Sequence, residues 1–460
     1  MDLVIKNGTV VTPSDVCQAD VGITDGRIAQ IADHIPEEGR VIDAKGCYVC
    51  PGGVDIHTHI DSVLHGMRTV DDWYYASLGA AAGGTTTVVD FPLQPAGQSL
   101  RATIEERIEA ASKLSLVDFA FAPIVTQFTD DTYAEIPGLI RDGHTSFKTF
   151  MYYDWKIDDY NLARLLDVVG SNGGIVGIHC ENAGTIDYLG AKAIAEGRTG
   201  PEWHAPTRPV STETEASARV LAAAAELQVP VWIVHMSAGP AVRELARARA
   251  EGVCAYGETM LHFLCLDESY YARPGLEPLK AVVTPPLRPA SHQEMLWDGL
   301  RCGTLSTVGS DHCAFPYKDK IRLYETRGKK FNMIPHGAPG IETRLPMLFA
   351  EGVSEGRISV SKFVEVIAAN PARLAGIYPQ KGALMPGSDA DIVIIDPDRK
   401  VTMGTAMLHG KTDYTLFEGW ELQGYPVATL SRGTVLFENG ELVAERGRGQ
   451  ALKRGPFIPF

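Results

Sequence analysis

The sequence predicts an α/β protein, a (β/α)8 TIM barrel with a smaller β-sandwich domain formed from both chain ends. Three observations carry this. Between residues 50 and about 375, short β-branched runs alternate with Ala/Leu/Glu-rich stretches of helical period, the pattern of parallel strands joined by crossover helices. The strand candidates number eight, the count of such a barrel. Both flanks instead carry short strand-like runs with Asn-Gly or Asp-Gly turn signals.

Taken in order, the N-terminal flank reads as strands over 2–11, 20–23, 27–31 and 41–49. The barrel strands are expected over 54–57, 85–91, 117–123, 146–150, 175–179, 231–235, 253–258 and 306–311. Helices are expected over 102–112, 160–169, 213–227 and 240–250, the third introduced by Thr212-x-x-Glu215 as a capping box. The C-terminal flank adds strands over 390–395, 426–430 and 434–437, with Gly433 and Asn439-Gly440 at turns. The expected division is 1-50 and 376-460 as the two parts of the β-sandwich domain, and 51-375 as the barrel. The basic, Gly-rich tail 446–454 reads as a solvated end that packs, if at all, on a neighbour.

Composition narrows the function. The chain has 460 residues, 42 Lys+Arg against 57 Asp+Glu, and a formal charge of −15. That balance argues against nucleic acid or an anionic membrane, which need a clustered positive face. No apolar run approaches the ~20 residues that span a bilayer, and the opening Met-Asp-Leu-Val-Ile-Lys6 resembles no secretory leader, so a cytoplasmic protein is expected. Eight scattered cysteines read as reduced thiols. Cys47 and Cys50 have CxxC spacing, but on a strand their side chains face opposite sides, against a redox or zinc pair.

A barrel carries its chemistry at the C-terminal strand ends. There stand His57 and His59, Lys148, His179, His235 and Asp311. One strand-end histidine is ordinarily a core or loop residue; six such groups converging on one face point to a metal centre. His57 and His59, at i and i+2, project to the same side and can grip one first-row metal. Asp311 is able to serve as ligand and as proton shuttle. Lys148 stands out, because an ammonium is repelled by a divalent cation and needs another role or a modification that reverses its charge.

The segments Pro51-Gly-Gly-Val-Asp-Ile-His-Thr-His59, Ser146-Phe-Lys-Thr-Phe150, His179-Cys-Glu-Asn182, Val234-His-Met-Ser237, Thr284-Pro-Pro-Leu-Arg288 and Ser310-Asp-His-Cys313 resemble the cyclic amidohydrolases, specifically the dihydropyrimidinase and hydantoinase group. The resemblance extends from Val4 through Gln380-Lys-Gly382 and Gly387-Ser-Asp-Ala-Asp-Ile392 to the tail. It implies hydrolytic opening of cyclic amides (dihydropyrimidines, 5-monosubstituted hydantoins) to N-carbamoyl amino acids. It further implies two divalent metal ions, zinc foremost with manganese, iron or cobalt as alternatives. His57, His59 and Asp311 would hold one, His179 and His235 the other, and Lys148, N6-carboxylated, would bridge them. A hydroxide between the metals would attack, Asp311 would act as general base and acid, and Tyr153 would donate to the developing oxyanion.

Thr284 falls where the family grips the ring's imide edge through main-chain groups. The family's usual Pro-Asn-Gly is here Pro335-His336-Gly337, which puts an imidazole at a ring-gripping position. Leu64, Leu93, Tyr152 and Trp155 are expected to meet the exocyclic group. The resemblance implies a homotetramer or homodimer. Allantoinase and imidase activities share the metal set; a non-catalytic relative would lack the ligands, all of which are filled here. A dihydroorotase should show a cationic clamp near His59, where Ile60 and Asp61 follow instead.

Overall fold

The computed structural model describes residues 1–64 and 66–460. Eight parallel strands run Gly53–Thr58, Thr85–Asp90, Asp118–Phe121, Ser146–Phe150, Ile175–His179, Val231–Ile233, Ala255–Met260 and Leu305–Gly309. The first three hydrogen-bond as one arc and the other five as a second. Parallel bridges join the arcs, Ile124 with Lys148 and Thr58 with His312. At these seams the Val125 N–H donates to Lys148 O at 2.9 Å and the His59 N–H to His312 O at 2.9 Å. All residues of these eight strands are buried, because helices cover the outer face and side chains fill the inner one. That is why they read as continuous β-branched runs, such as Thr85-Thr-Thr-Val-Val-Asp90. The interior is filled by Val54, Ile56, Val89, Ala122, Trp232 and Val234.

The outer helices form where an apolar stripe and an N-cap coincide. Asp159–Gly170 buries Leu162, Leu165, Leu166 and Val169, and the Asp158 side chain accepts from the Asn161 N–H. The expected capping box at Thr212 does not form. That helix, Val210–Leu227, starts earlier, straight after Pro209, and has no side-chain cap. Thr212 Oγ1 instead donates to Pro209 O at 2.7 Å, and Glu215 is drawn to Asn182 and Arg219. The fixed φ of proline presets the first turn, so the capping position moves upstream.

The two chain ends pair into one nine-stranded sheet, with Ile392–Thr402 antiparallel to Tyr48–Pro51 at the join. Apolar side chains from both ends share one core, among them Leu3, Ile5, Val49, Ile392 and Leu430. Asp25-Gly26 turns a hairpin between Val16–Thr24 and Arg27–Ala32, as expected. Asn7-Gly8 does not turn the chain; it makes a bulge inside the strand Leu3–Val11. A Cβ on Gly8 would lie 2.4 Å from Val49 Cγ2, so close packing of neighbouring strands accounts for that glycine.

Lys381 ties sheet to barrel: its buried Nζ lies 2.6 Å from Asp118 Oδ2, 2.9 Å from Asp391 Oδ2 and 3.1 Å from Asp389 Oδ2. The tail keeps exposed side chains, as at Arg446, Gln450 and Lys453, but it is tied to the barrel rather than free, with Gly449 and Arg454 buried. The Phe119 N–H donates to Gln450 O at 3.0 Å, the Leu452 N–H to Phe119 O at 2.8 Å, and buried Arg454 donates to Ser146 Oγ at 2.5 Å. Backbone groups at the start of the barrel strands need partners, and the tail supplies them.

Candidate metal centre

The strand ends bring the six expected residues to one barrel mouth. His57 lies within the first strand, Lys148 in the middle of the fourth, and His179 closes the fifth. His59, His235 and Asp311 follow the ends of the first, sixth and eighth. His57 Nε2 and His59 Nε2 lie 3.3 and 3.4 Å from Asp311 Oδ1. Across the mouth, His179 Nδ1 is 2.8 Å from His235 Nε2, and the rings of His57 and His235 are 5.4 Å apart. His235, Asp311 and Tyr153 hold positive φ values of 39°, 46° and 75°. Left-handed backbone costs about 1–3 kcal/mol per non-glycine residue and concentrates at working sites.

Burial sets the protonation states. It pushes His57 and His235 well below the usual imidazole range, and lowers His179 as well, so their ring nitrogens keep free lone pairs. Burial would raise the Asp311 carboxyl, but His57 and His59 beside it more than offset this and hold it below the ordinary range. Lys148 is fully buried and its Nζ has no hydrogen-bond partner among the described residues. The rings of Phe91 and Phe150 flank it at 5.4 and 4.7 Å. Burial pushes this amine down to about 7, against the pull of Glu258 and Asp311.

These residues fit a metal centre. His57, His59 and Asp311 form a three-donor group within 4.8 Å. His179 and His235 make only a pair, and the orphaned Lys148 amine is the nearby group free to complete it.

Sequence reasoning missed the carboxylates behind the histidines. Glu258, 0% exposed in the seventh strand, lies 2.6 Å from His57 Nδ1. Burial pushes the Glu258 carboxyl well above its ordinary range, against the pull of Lys148; its contact with Nδ1 occupies that nitrogen and turns Nε2 toward Asp311. Glu181 plays the same part for His179 Nε2 at 2.7 Å, and Arg208 Nη1 donates to the same Glu181 oxygen at 2.8 Å. Glu258 closes the seventh strand candidate, so the strand-end rule that picked the ligands could have found it; Arg208 carried no local signal. Replacing Glu258 by Gln is expected to weaken metal binding about 10–100-fold. Chelator competition measures this, and unchanged affinity in folded protein would mean that packing on Phe91, whose ring is 4.7 Å away, aligns His57 alone.

The expected substrate-facing residues are placed unequally. Leu64, Tyr153, Trp155, Thr284 and His336 line the cavity at the metal centre. Thr284 Oγ1 is 2.7 Å and the Tyr153 hydroxyl 3.5 Å from His336 Nδ1. Burial pushes the Tyr153 phenol up, so it stays a donor at working pH. Leu93 packs against the cluster of Leu64, Cys313 and Phe315. Tyr152 lines a neighbouring cavity, its ring 4.1 Å from the Arg208 guanidinium.

Comparison with known proteins agrees with this geometry. The family model described as Amidohydrolase family matches residues 48–436. The D-hydantoinase of Rhizobium radiobacter is 43% identical over 457 residues, covering 99% of each chain. That of Ralstonia pickettii is 42% identical, also with 99% of each chain covered. The crystal structure of dihydropyrimidinase from Brevibacillus agri superposes with a TM-score of 0.97 at 40% identity, over 100% of both chains. A metal-competent barrel mouth, a family match across most of the chain and full-length relatives above 40% identity together make this chain a member of the amidohydrolase family, within its hydantoinase and dihydropyrimidinase group.

Proposed function

We propose that this protein opens cyclic amides by hydrolysis, converting dihydropyrimidines and 5-monosubstituted hydantoins to N-carbamoyl amino acids. The observation that carries the reading is the buried Lys148 Nζ, without a hydrogen-bond partner among the described residues and close enough to His57, His179 and His235 to act on their charge. With burial holding it near 7, the neutral amine is available to add to carbon dioxide. The N–C bond forms, a proton leaves, and a carbamate anion replaces the ammonium. That modification turns a repulsive group into one with two anionic oxygens. His57, His59 and Asp311 would then hold one divalent ion, and His179 and His235 the other, with carboxylated Lys148 between them and zinc the foremost candidate.

When bound, the metal pair supplies Lewis acidity toward a water and the ring carbonyl. The side chains do the rest. Asp311, ionised and 16% exposed at the cavity, takes a proton from the attacking water and returns it to the ring nitrogen as the C–N bond breaks. Water is thereby added across that bond with no other reactant. The Tyr153 hydroxyl donates to the carbonyl oxygen as charge develops there, a contribution of about 10²–10³ in rate for a well-aimed donor. Thr284 and His336 hold the ring's imide edge. This reading carries with it a homotetramer, or else a homodimer, in the cytoplasm.

The test is a panel of dihydrouracil, 5-monosubstituted hydantoins of both hands, allantoin, dihydroorotate and succinimide, run beside metal analysis. Ring opening of dihydrouracil and the hydantoins by metal-loaded protein is the expected result. Turnover confined to allantoin or succinimide would replace the reading with one of those activities.

A further inference from the structure

Behind Thr284 and His336 lies a buried amine that the proposed chemistry does not use. Lys320, in the helix Tyr317–Thr326 after the eighth strand, is 0% exposed. Its Nζ donates to Gly337 O at 2.6 Å, Leu279 O at 3.1 Å and Lys280 O at 3.4 Å. Among the described residues no carboxylate pairs with it, and burial pushes it down to about 7. Even the neutral amine keeps two N–H groups, enough for the two nearest oxygens. Buried Tyr414 reaches two of the same acceptors, its hydroxyl lying 3.3 Å from Lys280 O and 3.4 Å from Gly337 O.

These carbonyls belong to the two segments that carry the expected ring contacts. The short helix Glu277–Ala281 leads into Thr284, and Gly337 directly follows His336. The Gly337 N–H also donates to Val282 O at 3.0 Å, joining the segments. Gly337 stands at φ 144°, where a residue without Cβ turns easily, so its carbonyl needs an anchor if His336 is to stay in place.

We infer that Lys320, seconded by Tyr414, is a positioning residue for substrate binding: it fixes the Gly337 carbonyl against residues 279 and 280 and so sets the spacing of Thr284 and His336. That spacing is 2.7 Å from Thr284 Oγ1 to His336 Nδ1. The inference rests on the proposed hydrolysis of cyclic amides, in which these two residues hold the ring's imide edge. A buried lysine that serves the fold alone ordinarily pairs with a carboxylate, as Lys6 does with Asp20 at 2.6 Å and Lys381 with Asp118 at 2.6 Å. The contacts of Lys320 go instead to carbonyls of loop segments, whose places no sheet ladder fixes.

Dihydrouracil tests this, because its ring carries no exocyclic group and offers mainly its imide edge. KM and kcat are measured on full-length, metal-loaded Lys320→Met, which keeps the length of the side chain and loses its N–H groups. KM is expected to rise about tenfold or more, since a displacement of about 1 Å in a binding group costs up to about 10²-fold. The kcat per bound metal is expected to hold, because contacts made equally to substrate and transition state enter KM alone. A merely structural role gives the opposite split: a smaller folded fraction lowers kcat and leaves KM as it was. That split, or an unchanged KM in folded protein, would overturn the inference. Should Lys320→Met not fold, Tyr414→Phe removes a single hydroxyl from the same two carbonyls. Its KM is expected about two- to fivefold higher, and no rise there would equally overturn the inference. A parent protein that opens no cyclic amide defeats the reading of function itself, a failure visible before any variant is made.

Discussion

Replacing Lys148 by alanine is expected to strip the centre of metal and abolish ring opening, with part of both restored by a short carboxylic acid such as acetate or propionate. The expectation follows from what the lysine lacks. Its Nζ is buried with no hydrogen-bond partner among the described residues, so its removal orphans none of their polar groups and the fold should survive. The volume it vacates lies beside the Phe91 and Phe150 rings, and a small carboxylate placed there would stand in for the oxygens of a carbamate. Without such oxygens, His179 and His235 are two donors only, too few for a first-row metal that takes four ligands. Metal content by elemental analysis, and activity with and without the added acid, check the prediction together. Stoichiometric metal retained in Lys148→Ala would remove the bridging role.

Much of this centre is legible in the sequence, for a physical reason. Parallel barrel strands are buried on both faces, so they stand out as β-branched runs, and the polar residue that ends such a run has to justify its burial. His57, His179 and His235 are recognisable on that ground alone. The residues that orient them are less so, because each meets its partner across a large sequence separation: Glu258 reaches His57 from another strand, and Arg208 reaches Glu181 from outside the barrel strands. Local signals failed wherever a longer-range contact outweighed them. Asn7-Gly8 carries a hairpin signature, yet Val49 packing against Gly8 makes it a bulge. The tail has the composition of a solvated end, yet the unpaired backbone of Ser115 and Phe119 captures it.

The His336 substitution shows the same division. The sequence reveals an imidazole in place of the family's usual asparagine, but not that its ring would stand 2.7 Å from Thr284 Oγ1 and form a shared wall of three cavities. Tyr152, expected with Leu64 and Leu93, lines the groove at the mouth with Val63 and Trp155 and the neighbouring cavity with Arg208, whose guanidinium lies 4.1 Å from its ring.

Asp311→Asn should leave the fold intact and remove turnover at every pH, a loss of at least about 10³ where general-base catalysis alone contributes 10²–10⁴. Three features make this the sharper test of mechanism. Asn matches Asp in shape, and it tolerates the left-handed backbone that Asp311 adopts at φ 46°, so the substitution does not disturb the turn after the eighth strand. Its amide oxygen can stay beside His57 Nε2 and His59 Nε2, which lie 3.3 and 3.4 Å from Oδ1, so those two histidines are not left facing a hole. What it lacks is a basic lone pair. Because His57 and His59 hold the native carboxyl below its ordinary range, Asp311 is ionised throughout the neutral region, and its loss cannot be recovered by moving to another pH. A profile of kcat against pH, taken with metal content, reads the outcome. Near-parental rates at a displaced optimum would mean that the proton passes through another group, for which Tyr153 and His336 in the same cavity are candidates.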